Sequence, residues 1–86
     1  LASNNLAMLL ATHRGDAASL ERARQLAADL ERSPVPQFVD TYGWVRLKSG
    51  DVSGALAALE RAARDAPADP AIRYHLALAQ LEAARL

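Results

Sequence analysis

The sequence predicts an all-α fold: five helices in antiparallel helix–turn–helix repeats, stacked as a short solenoid. Three observations carry this expectation. Twenty alanines and 14 leucines among 86 residues favour helix, and no run of alternating β-branched residues argues for strand. All four prolines fall in two clusters, Pro34/Pro36 and Pro67/Pro70, and glycines mark further breaks at Gly15 and at Gly50 with Gly54. Landmarks also recur at a period near 34. Gly15-Asp16 returns as Gly50-Asp51, 35 residues on, and Ser33-Pro34 as Ala66-Pro67, 33 on. Asn5-Leu6-Ala7 corresponds to Thr41-Tyr42-Gly43, 36 on, and then to His75-Leu76-Ala77, 34 further. A helix pair of that length cannot bury its apolar face alone, so neighbouring pairs must stack.

Each segment between breaks has helical length and period. The first spans about residues 3–13, with Leu6, Leu9 and Leu10 on one side. The second spans about 17–32, where Leu20, Ala23, Ala27 and Leu30 recur at spacings of three and four. The third spans about 36–48, with Phe38, Tyr42 and Val45 as its apolar stripe. The fourth spans about 52–65, with Val52, Leu56, Leu59 and Ala63. The fifth runs from about 70 to the end, with Ile72, Leu76, Ala79 and Ala83. Asp69-Pro70 is a strong helix start, because the carboxylate accepts from free backbone N–H groups and proline loses nothing at the first helical position. Asp16 and Asp51, each after a glycine, are placed to cap the second and fourth helices. The connections are short, which makes successive helices antiparallel.

Ten basic residues balance ten acidic ones, so nothing draws the chain generally to nucleic acid or to an anionic membrane. There is no cysteine, hence no disulfide framework or thiolate zinc site. No apolar run approaches the roughly 20 residues of a membrane span, and no signal peptide is visible. The chain begins at Leu1 and not at Met, which points to a piece of a longer protein and leaves the compartment open.

The landmarks resemble those of the tetratricopeptide repeat family. The clearest unit is residues 36–69: Tyr42-Gly43 as a large–small pair in the first helix and Gly50-Asp51 at the inter-helix turn. Ala55, Leu59 and Ala62 follow in the second helix, and Pro67 closes it. Residues 1–35 form an irregular first repeat, with one extra residue before Gly15, a longer second helix and Ser33 where proline is usual. Residues 70–86 supply the first helix of a third repeat. The resemblance implies a single domain of about two and a half units forming a right-handed α-solenoid. The strings Asn-Asn-Leu-Ala at 4–7, Asp-Thr-Tyr-Gly-Trp at 40–44 and Ile-Arg-Tyr-His-Leu-Ala at 72–77 are similar to C-terminal repeats of bacterial members. Several of those are linked to exopolysaccharide and protein-sorting systems. That implies a bacterial protein of the cytoplasm or the periplasm.

In such arrays the first helices of successive units line a concave groove. Trp44 lies two residues past Tyr42, about 200° round the helix, and so leaves the Phe38–Tyr42–Val45 stripe. It shares a face with Gln37, Asp40 and Lys48. The same register adds Tyr74 and Leu78 from the fifth helix and Asn4 and Met8 from the first. These eight residues are the expected partner-binding groove, with Trp44 as anchor. The alternative is that the next unit's first helix covers Trp44. Some family members clamp a C-terminal carboxylate, but the matching positions here are Asn4, Met8, Thr41, Ala71 and His75. They carry no assured positive charge, so a mostly neutral peptide is the expected ligand. The fifth helix is apolar on two sides, which makes Ile72, Leu76, Ala79, Leu81 and Ala83 a candidate homodimer surface.

Catalytic signals are weak. His13 and His75 belong to different units, no metal-ligand spacing is present, and no serine lies in a Gly-x-Ser-x-Gly turn. Arg14-Gly15-Asp16 spells an adhesion tripeptide, but a turn accounts for it, since Gly-Asp recurs at 50–51. The expectation is therefore a non-enzymatic scaffold binding a protein or peptide, without cofactor, metal or nucleic acid. The competing role is a structural cap or homodimerisation segment of a longer array.

Overall fold

The computed structural model describes residues 2–86, with side chains from residue 4 onward. It is all-α, with five helices and no strand among the described residues. Helix α1 (Ala2–Leu9) runs on into a π-helical turn, Leu10–Arg14. Helix α2 (Ala17–Ala27) tightens into a 3₁₀ turn, Ala28–Leu30. Then come α3 (Pro36–Lys48), α4 (Val52–Asp65) and α5 (Pro70–Ala84).

The three aspartate caps form as their sequence positions imply. Asp16 accepts from the Ser19 backbone N–H at 3.0 Å, Asp51 from that of Gly54 at 3.0 Å, and Asp69 from those of Ala71 and Ile72 at 3.0 and 3.2 Å. Helix α3 ends in a Schellman motif. The Gly50 N–H reaches the Leu47 carbonyl at 3.1 Å and the Asp51 N–H reaches that of Arg46 at 2.9 Å, with Gly50 at φ +92°. Only glycine takes that backbone without strain. The extra residue before Gly15 is absorbed by the π turn: the Gly15 N–H bonds to the Leu10 carbonyl, five residues back, at 3.2 Å.

Helix α1 packs on α2 and α3, α3 also packs on α2, α4 and α5, and α4 packs on α5. The thinnest extent of the molecule is 19 Å, which is two helix diameters. Helix α3 is thus central, and it is buried almost all round: Val39, Asp40, Thr41, Gly43, Trp44 and Val45 are all buried. This corrects the expected Phe38–Tyr42–Val45 stripe, because Phe38 and Tyr42 are only half-buried. A single apolar stripe presumes one packed side, whereas α3 has neighbours on several. Gly43 is where α3 meets α4 most closely, since a Cβ there would lie 2.7 Å from the Leu59 Cγ.

In α1 and the π turn that continues it the buried positions are Ala7 and Ala11, while Leu6 and Leu9 are exposed. That too departs from the expectation. Ala7 and Ala11 sit in one cluster with Ala23 and Ala27 of α2, and such small side chains let the helices approach closely, leaving Leu6 and Leu9 outside the seam. Leu30, Trp44 and Val45 complete this cluster, so the indole packs among small side chains. Val39, Ala58, Ala62 and Ile72 form a second cluster, and Ala55, Leu59 and Ala79 a third.

Candidate functional site

Trp44 is the first correction at the expected groove. It is 6% exposed, and its Nε1–H donates to the Thr12 Oγ1 at 3.0 Å. One ring face stacks on His75, with centroids 4.3 Å apart and planes 25° from parallel. Thr12 comes from the π turn after α1 and His75 from α5. The indole therefore joins three helices, which agrees with the alternative that a following first helix covers it. Lys48 is exposed and sets its ammonium 4.9 Å from the Trp44 ring centroid, within cation–π range.

Asp40 is the second correction. It lies in the interior, 4% exposed, with its Oδ1 2.8 Å from His75 Nδ1. The two side chains are within hydrogen-bond distance of each other. Asp40 on α3, His75 on α5 and the stacked Trp44 thus form one polar–aromatic bolt between the two helices.

The other groove candidates divide between core, surface and caps. Met8 and Leu78 pack half-buried against the first cluster. Asn4 is half-buried, and its Oδ1 is buried without a hydrogen-bond partner among the described residues. Gln37 donates to the Asp69 Oδ2 at 3.1 Å, tying the start of α3 to the cap of α5. That bond, and then the Ile72 backbone N–H, hold the Asp69 carboxyl below its usual range. Tyr74 is exposed, with its ring tilted 51° beside His75. Among the candidate dimer residues, Ile72 and Ala79 are fully buried and are spent in the core. Leu76 and Ala83 are half-buried, and Leu81 is exposed.

What this side of the molecule does offer is a recess of about 270 Å³ between α3 and α5. It is lined by Trp44, Leu47, Lys48, Leu78, Leu81 and Glu82. An indole and three leucines contribute its apolar part, while a cation borders it from α3 and an anion from α5, so the lining is mixed. Leu47 and Glu82 lie outside the groove expected from sequence, and Leu81 belongs there to the expected dimer surface. The sequence holds the signal that finds them: 44, 47 and 48 plus the 34-residue period gives 78, 81 and 82.

Among the described residues no group of three or more His, Cys, Asp or Glu side chains is placed to hold a metal ion, and no helix is long and apolar enough to cross a membrane. No protein-family model matches the chain, and no curated protein and no solved structure matches it.

Proposed function

We propose that the chain is a non-enzymatic protein-interaction module, a short right-handed solenoid of tetratricopeptide type that holds a peptide on the face formed by α1, α3 and α5. The single observation that carries this reading is the recess between α3 and α5. Its size suits one or two apolar side chains, and its Lys48 and Glu82 can orient a peptide that brings both signs of charge. Trp44 serves there as a fixed wall and not as a protruding anchor, since its position is set from behind by Thr12 and His75. A preformed wall lowers the ordering cost of binding.

The experiment exploits the fact that Trp44 is the chain's one tryptophan. Random 12-residue peptides displayed on phage are selected on the wild-type protein. Enriched peptides are then titrated while Trp44 emission is followed. The expected result is a shared motif with an apolar centre, whose binding shifts the emission and is lost in Leu81→Glu. Leu81 is 58% exposed, so that substitution leaves the core intact. Enriched peptides that bind Leu81→Glu as well as wild type, or no enrichment at all, refute the assignment.

A further inference from the structure

A second concavity lies between α4 and α5 and is independent of the recess on α3. It is an open trough of about 470 Å³, lined by Glu60, Ala63, Arg64, Leu76 and Gln80. Ala63 and Leu76 are half-buried, while Glu60, Arg64 and Gln80 are exposed. Among the described residues, neither Glu60 nor Arg64 has an ion-pair partner within 4.0 Å, although they stand one turn apart on α4. The trough therefore mixes two half-buried apolar side chains with one unspent charge of each sign on the same bank.

We infer that the occupant of this trough is a second copy of the same chain, docked about a two-fold axis that crosses α4 between Glu60 and Arg64. The argument is charge self-complementarity. Two identical helices related by such an axis run antiparallel. Residue 60 of each then faces residue 64 of the other, and both ion pairs form at once. With residue 60 facing residue 64, the axis lies level with residue 62, one position from the short side chain of Ala63, and Leu76 borders the same trough. A partner of unrelated sequence has no reason to present this inverted pair at the same spacing, whereas a second copy presents it by symmetry.

Sedimentation velocity across a wide concentration range, on the whole 86-residue chain, tests this together with two charge reversals. Wild type is expected to dimerise as concentration rises. Glu60→Arg sets arginine against arginine twice across the axis, and Arg64→Glu sets glutamate against glutamate twice. Each alone should weaken the dimer by about tenfold or more. The decisive step is to mix the two weakened variants. In the mixed pair one chain carries arginine at both positions and the other carries glutamate at both. Both contacts are then restored and a heterodimer returns. A role of either residue within its own chain cannot produce that rescue. Circular dichroism checks that the variants remain helical. A wild-type protein that stays monomeric at the highest concentration overturns the inference, as does a mixture no more associated than its components.

Discussion

Replacing Gly43 with alanine sets two opposing effects against each other, and the geometry decides between them. Alanine is the better helix former by about 1 kcal/mol, so at an open site in α3 the change would stabilise. The site is closed, however. An added Cβ would lie 2.7 Å from the Leu59 Cγ, 2.9 Å from its Cδ2 and 3.4 Å from the Ala55 carbonyl oxygen. The nearest atom is the branch point of a side chain that is 0% exposed, so it cannot swing away as a flexible tip would. Relief requires α3 and α4 to move apart along their seam. Overpacking of this kind costs about 1–3 kcal/mol, and contacts this short on an immobile leucine belong in the upper half of that range. The net expectation is a loss of about 1–2 kcal/mol. With a urea slope of about 1 kcal/mol/M for a domain this small, the midpoint drops by about 1–2 M. Urea unfolding followed by Trp44 emission reads it directly. Leu59→Ala alone should cost about 2–5 kcal/mol, but it also empties the space that the new methyl needs. The double variant should therefore lose clearly less than the sum of the two. A Gly43→Ala protein as stable as wild type, or additive losses in the double variant, would refute the close approach of α3 and α4.

Further outcomes follow from the caps and from the α3–α5 bolt. The Asp16, Asp51 and Asp69 carboxyls all sit below their usual range, held by Ser19, by the Gly54 N–H and then Arg46, and by Gln37 and then the Ile72 N–H. A pKa depressed by folding gives stability that is present above the unfolded value, about 3.9, and is lost as pH falls through the folded ones. The urea midpoint should thus be insensitive to these groups above about pH 5 and fall below about pH 4, and the triple Asp→Asn variant should show a shallower acid limb. Asp51→Ala removes both the α4 cap and the 2.6 Å contact from Arg46, and should cost about 1–2 kcal/mol in thermal or urea unfolding. Trp44→Ala empties a site among alanines that cannot close over it, and should cost about 3–5 kcal/mol; Trp44→Phe should cost less, losing the Thr12 bond and part of the packing. His75→Ala leaves the buried Asp40 side chain without its partner and should cost about 3 kcal/mol, with Asp40→Asn milder; strictly additive losses in the double variant would mean that the pair does not act as one.

The parts of this fold that are legible in the sequence are those decided by local chemistry. Helix breaks, aspartate caps and the left-handed glycine turns depend on a few adjacent residues, and Asp16, Asp51, Asp69, Gly15 and Gly50 all stand as read. The parts that are not legible depend on how many sides of a helix are covered. In α4 the expected stripe of Val52, Leu56, Leu59 and Ala63 holds only at Leu59; the buried side is Ala55, Ala58, Leu59 and Ala62, and Val52, Leu56 and Ala63 are half-buried at its edge. A stripe argument fails for α3, because a helix with neighbours on several flanks buries Trp44 and Asp40 from directions that a stripe treats as solvent. It fails in α1 for another reason: alanine contributes little to an apolar stripe, yet Ala7 and Ala11 make the seam while Leu6 and Leu9 stay outside it.

The candidate site is legible by a different route. Helical register points to Trp44, Lys48 and Leu78, and the repeat adds Leu47, Leu81 and Glu82, because each wall of the recess comes from one helix and the two walls occupy the same positions 34 residues apart. Trp44 answers to Leu78 and Leu47 to Leu81, so the period keeps both walls apolar. Lys48 answers to Glu82, and at that one position the charge changes sign. Had the lysine been kept in both helices, two like charges would border the recess and repel each other when a ligand displaced water from between them. With opposite signs the recess is locally neutral but directional, since a peptide carrying one acid and one base gains from only one orientation. The recess thus draws its apolar walls from what the repeat preserves and its direction from the one position at which the repeat diverges.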